Sequence, residues 1–253
     1  MAEPPVRPDF AARLRAVTQA RIALGRVGQA LPTAALLDFQ LAHARARDAV
    51  GAAFDIQGFS AEIGGRAVID VSSRAPDHAT YLQRPDLGRR LAEADVGKLA
   101  ATGDEVAFIV GDGLSATAVE AHAAPLLLAL FERLPGWRIA PVVLARHARV
   151  ALGDEIGAAL GIDLAVMLIG ERPGLSAPDS LGAYLTWQPR PGRLDSERNC
   201  ISNIRPPHGL GYAQAADSIV WLMTQARLRR LTGVALKDES GVKGKGGSDR
   251  LLP

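Results

Sequence analysis

Three residues stand out for the chemistry their types and neighbours allow: Asp112 in Gly-Asp-Gly, Glu171 in Gly-Glu-Arg-Pro-Gly, and Cys200 in Arg-Asn-Cys-Ile-Ser-Asn. Both carboxylates end an apolar run beside glycine, which lets backbone turn sharply or come close to a ligand. There they can accept hydrogen bonds from amides or sugar hydroxyls. Equally, each can cap a neighbouring helix or pair with an arginine. Cys200 has the type of a nucleophile once ionised. Its neighbours Arg198, Asn199, Ser202 and Asn203 either lower its pKa or only order a turn. The default for a single such cysteine is a small, buried, unreactive group. Polar side chains crowd into 198–205, just ahead of Pro206-Pro207, as a network that positions something would.

Other chemistries are poorly served. The five histidines, His43, His78, His122, His147 and His208, are isolated, with no pair at helical spacing to hold zinc. No Gly-x-Gly-x-x-Gly follows an apolar run. Lys245 sits in a glycine-rich stretch, but no Ser or Thr follows it, so a phosphate loop fails. The formal net charge of +2 gives no strong pull toward nucleic acid or anionic membranes. No apolar run reaches the ~18 residues of a membrane span. One cysteine makes no internal disulfide, and the first residues lack the basic-then-apolar pattern of a secretory signal. The expected location is the cytoplasm.

The elements that must position these residues follow from periodicity. Residues 1–9 are proline-rich and expected to be mobile. Residues 10–25 put Phe10, Leu14, Val17 and Ile22 near one helical face, as either a packed helix or a detachable docking segment. Thr33 is placed to cap a second helix over 34–52. The stretch 57–90 has weak periodicity and predicts loop plus short helix. Apolar runs at 106–113, 138–145, 164–174 and 183–189 then alternate with helical patterns at 116–133, 153–160 and 214–231. That alternation predicts an α/β fold: a mainly parallel sheet flanked by helices, Rossmann-like, with an N-terminal helical extension over 1–60. The main domain spans 61–239, and the tail 240–253 is expected to be disordered. In such sheets ligands collect outside the carboxyl ends of the strands, where Asp112 and Glu171 fall.

Several blocks together resemble the small subunit of ethanolamine ammonia-lyases. They are RNCISNIRP (198–206), IGERPGLS (169–176), SRAPDHATYLQRPDLGRRL (73–91), DGLSATAVEAHAAPLL (112–127) and TQARLRRLTGVALKDE (224–239). The resemblance covers roughly 70–240 and leaves out the first 60 residues and the tail.

That resemblance implies a subunit of an enzyme that turns ethanolamine into acetaldehyde and ammonia by radical chemistry begun from adenosylcobalamin. A large barrel subunit binds substrate, the small subunit covers the cofactor, and several copies of each assemble into a hetero-oligomer. This chain would then be an ammonia-lyase component active only with the large subunit. In many bacteria the complex lies inside a microcompartment. Three positions carry over as cobalamin contacts: Val150 after Arg149, Glu171 in Gly-Glu-Arg-Pro-Gly, and Cys200 in Cys-Ile-Ser-Asn. The residues alone single out the last two, while Val150 enters only by resemblance. Valine can pack on the apolar corrin disc and a carboxylate can accept from its rim amides. No Asp-x-His-x-x-Gly occurs, because Asp77 and His78 are adjacent, so the cobalamin is expected to stay base-on. Two other classes compete: a standalone nucleotide- or sugar-binding α/β protein, and an adaptor docking through residues 10–25.

Overall fold

The computed structural model describes residues 10–18 and 20–239. The expectations for residues 1–9 and for the tail 240–253, including Lys245, lie outside the described residues. The chain is α/β, with a six-stranded mixed sheet in the order β1-β3-β2-β4-β5-β6. Four strands run parallel: β1 (Val68–Ser72), β3 (Val142–Arg146), β2 (Val106–Gly111) and β4 (Leu164–Gly170). Then β5 (Leu181–Trp187) and β6 (Arg198–Ile204) add on antiparallel.

The four apolar runs become β2, β3, β4 and β5. The two edge strands were not among the apolar runs. β1 falls inside the stretch expected as loop plus short helix, and β6 is the polar block itself.

Alternation along the central strands feeds two cores. Val106, Phe108 and Val110 face α5 (Ala116–Arg133) and α7 (Tyr212–Arg229). Ala107 and Ile109 face the other way, toward α6 (Leu152–Leu160). This is the period-two pattern of a strand buried on both faces. Because β3 and β4 flank β2 on opposite sides, the crossovers through α5 and α6 lie on opposite faces. Their connections diverge at the carboxyl ends of β2, β3 and β4, the place where open α/β sheets form crevices. Ser115 caps α5, its Oγ accepting from the Ala118 N–H at 3.2 Å.

Short helices α3 (Phe59–Glu62) and α4 (His78–Gln83) join the layers. Ahead of them, α1 covers only Phe10–Arg15, shorter than the expected 10–25, and buries none of its residues. The helix α2 (Thr33–Gly51) buries only Ala49. Thr33 is not its cap: Pro32 precedes the helix and no side chain caps it. Among the described residues, no helix is long and apolar enough to cross a membrane.

Candidate functional site

Two adjoining cavities open at the carboxyl ends of β3 and β4. The larger encloses about 540 Å³ and the smaller about 210 Å³. Arg149, Val150, Arg172 and Tyr184 line both. Cys200 lines the larger and Glu171 the smaller. The structure therefore brings Val150, Glu171 and Cys200 to one place from three separate elements: the β3–α6 turn, the end of β4, and edge strand β6.

Asp112 fixes the turn that carries Val150. Its carboxylate is nearly buried and accepts three backbone N–H bonds, from Gly113 at 2.8 Å, His147 at 2.7 Å and Ala148 at 2.8 Å. Burial pushes this carboxyl above its usual range, and the backbone donors pull it back. Of the two roles open to Asp112 in the sequence, it plays a local structural one: it ties the end of β2 to residues 147–148.

Glu171 is half-buried, with Oε2 turned back on the protein. Ser180 Oγ donates to it at 2.5 Å and the Asn203 N–H reaches it at 3.4 Å. Oε1 lies beside Gly182, where a Cβ would come within 2.8 Å, so the bare glycine makes room for this carboxylate. Among the described residues nothing else bonds Oε1, which leaves it free to accept.

Cys200 is exposed, not the buried cysteine expected by default. It stands opposite Tyr184 in the β5–β6 ladder. Packing around the thiol pushes its pKa above the usual value, and the Glu171 charge pushes the same way. Tyr184 is likewise shifted upward, mainly by burial. Arg198 does not activate the thiol. Its guanidinium is 2 % exposed and bonds Asp154 twice, at 2.6 and 2.7 Å. Two further polar side chains of the block are also engaged: Asn199 Nδ2 donates to Leu236 O at 2.6 Å, and Arg205 pairs with Asp179 at 3.0 Å. The crowded segment thus pins the edge strand to α6 and to the 233–236 turn, and leaves Cys200 facing the cavity. A thiol held neutral is a contact group, not a ready nucleophile.

The His78 and His147 rings pack on Tyr81, which lines the smaller cavity, with centroids 5.8 and 6.0 Å from its ring. Among the described residues, no three His, Cys, Asp or Glu side chains gather as a metal site. Arg149, Arg172 and Tyr184 escaped the sequence reading. The two arginines adjoin Val150 and Glu171 in sequence, so taking every residue just past a strand end would have found them. Tyr184 sits in the interior of a strand and carried no such signal.

Fold and site together define an α/β protein with a half-open, arginine-lined cavity at the carboxyl ends of its parallel strands. A family model described as "Ethanolamine ammonia-lyase light chain (EutC)" matches residues 8–237. Proteins named ethanolamine ammonia-lyase small subunit are similar along nearly the whole chain. The one from Bradyrhizobium diazoefficiens is 53% identical over 248 residues, 95% of each chain. The one from Azotobacter vinelandii is 53% identical over 240 residues, 91% of this chain and 88% of its own. The one from Pseudomonas putida is 52% identical over 239 residues, 90% of this chain and 88% of its own. The chain belongs to the ethanolamine ammonia-lyase light-chain family.

Proposed function

We propose that this chain is the cofactor-covering subunit of an adenosylcobalamin-dependent ethanolamine ammonia-lyase, active only with a large subunit. The observation that carries the proposal is the meeting of Val150, Glu171 and Cys200 around one joined cavity. Cobalamin suits these residues: corrin is an apolar disc rimmed by amides. Val150 and Leu82 offer apolar surface, and Glu171 Oε1 is an acceptor for a rim N–H. Cys200, kept neutral, adds a compact neutral contact. When bound, the cofactor supplies the radical that the lyase reaction needs. This chain's residues position it and cover it from water.

The same cavities make a poor home for the substrate. Arg149 and Arg172 line both and Arg89 the larger, without an ion-pair partner among the described residues; they outnumber the lining carboxylates Asp195 and Glu171, so an ammonium such as protonated ethanolamine is disfavoured there. Substrate therefore belongs in the large subunit, in a hetero-oligomer of several copies of each chain. The cofactor keeps its own base, and residues 61–239 form the Rossmann-like covering domain, with a helical extension ahead of it. The assembly works in the cytoplasm, either free or inside a microcompartment.

The test is to purify this chain with and without its large subunit and follow ammonia release from ethanolamine with added adenosylcobalamin. The proposal expects activity from the pair and none from this chain alone. A pair that never assembles, or a lone chain that binds a nucleotide or sugar, overturns it.

A further inference from the structure

Four arginines line the larger cavity, and only one of them is neutralised by the protein. Arg198 is spent on Asp154, and the lone lining carboxylate, Asp195, lies 3.4 Å from the same guanidinium. Arg89, Arg149 and Arg172 have no carboxylate partner among the described residues, and a guanidinium does not lose its charge in a protein. Arg149 is also held in place. Its guanidinium lies 4.3 Å above the Tyr81 ring and donates to Tyr81 O at 3.3 Å. Its stem runs over buried Gly88, where a Cβ would come within 2.9 Å of Arg149 Cγ. Its Nε is buried and bonds nothing among the described residues. Arg89 and Arg172 are exposed beside Arg149. Three like charges around one concavity are mutually unfavourable, and an anion relieves them.

We infer that Arg89, Arg149 and Arg172 form a subsite for a phosphodiester, namely the one linking corrin to base in the nucleotide loop of cobalamin. This rests on the proposed cofactor role. The corrin ring and its amides offer no anion to match these charges, whereas the loop carries one. Val150 adjoins Arg149 and Glu171 adjoins Arg172 in sequence, and Arg89 lines the larger cavity together with Val150, so corrin contacts and an anion contact share one joined cavity.

The experiment uses the complex with the large subunit, carrying Arg172→Gln, Arg89→Gln or both. Three probes are titrated: cyanocobalamin, cobinamide phosphate (corrin and phosphate, no base) and cobinamide (neither). Each lost charge-assisted contact is expected to weaken the first two roughly tenfold and leave cobinamide unchanged. Wild-type affinity for the first two should also fall with salt more steeply than for cobinamide. Equal weakening of all three probes overturns the subsite while the cofactor role stands. Unchanged affinity for all three also overturns it, because the arginines are then neutralised by the partner chain. A wild-type complex that binds none of the probes overturns the cofactor role, and this inference falls with it.

Discussion

Asp112→Asn separates an ionised hub from a neutral one. The carboxylate meets only N–H donors: Oδ1 accepts from Gly113 and Ala148, Oδ2 from His147. A protonated carboxyl would set a hydroxyl hydrogen against one of them, so the geometry calls for the charged form at neutral pH, against the upward push of burial. Asparagine can keep the two bonds to Oδ1 but must turn its amide donor toward the His147 N–H. A lost hydrogen bond to a charged acceptor costs about 1.5–3 kcal/mol, and an unsatisfied buried N–H about 1–3 kcal/mol. Removing the buried charge offsets part of this, leaving about 2 kcal/mol. For a domain of this size that lowers Tm by roughly 4–8 °C. Thermal unfolding of the purified chain at pH 7, followed by circular dichroism, reads it. A variant with wild-type Tm would refute an ionised Asp112.

Arg198→Met strands the buried Asp154 carboxylate, which is 3 % exposed, and should destabilise by about 3–5 kcal/mol. Adding Asp154→Leu should recover part of that loss, and a stable single variant argues against the buried pair. Burial holds His122 below its ordinary value of 6.5, so the fold keeps it neutral where the unfolded chain takes up a proton. Stability from this residue is complete above about 6.5 and is lost as pH falls below it. Denaturant midpoints from pH 8 to 5 should drop less steeply for His122→Gln, and identical slopes would count against the burial effect. Cys200, exposed but shifted upward, should react slowly with iodoacetamide at pH 7, speed up only in alkali, and be shielded by cobalamin in the complex. Fast labelling at pH 7 contradicts this.

What the sequence revealed and hid divides along the sheet. β2, β4 and most of β3 and β5 are buried on both faces, so they had to be written as unbroken apolar runs. The edge strands pair on one side only and face less core. In β1 only Val71 is buried, and in β6 exposed Cys200, Ser202 and Asn203 interrupt Ile201 and Ile204. Edge strands can be polar without cost, so their periodicity fades. The site followed the same logic. Glycine-flanked carboxylates at strand ends were legible as types, but not their roles. Asp112 and Glu171 have similar surroundings in sequence, yet one is enclosed by backbone donors and the other keeps an oxygen at the cavity. Asp154 lies in the first turn of α6, where an acidic residue needs no partner beyond the helix terminus. Its partner, Arg198, lies 44 positions away, a pairing that only the folded sheet creates.

The measurement closest to the centre of the proposal is an adenosylcobalamin titration of the two-chain complex, read from the visible spectrum, for wild type and Glu171→Ala. Losing one partly buried, charge-assisted acceptor should weaken cofactor binding by about tenfold or more, with assembly and ethanolamine KM unchanged. Superimposable titrations in equally assembled complexes would contradict a cobalamin contact at this cavity.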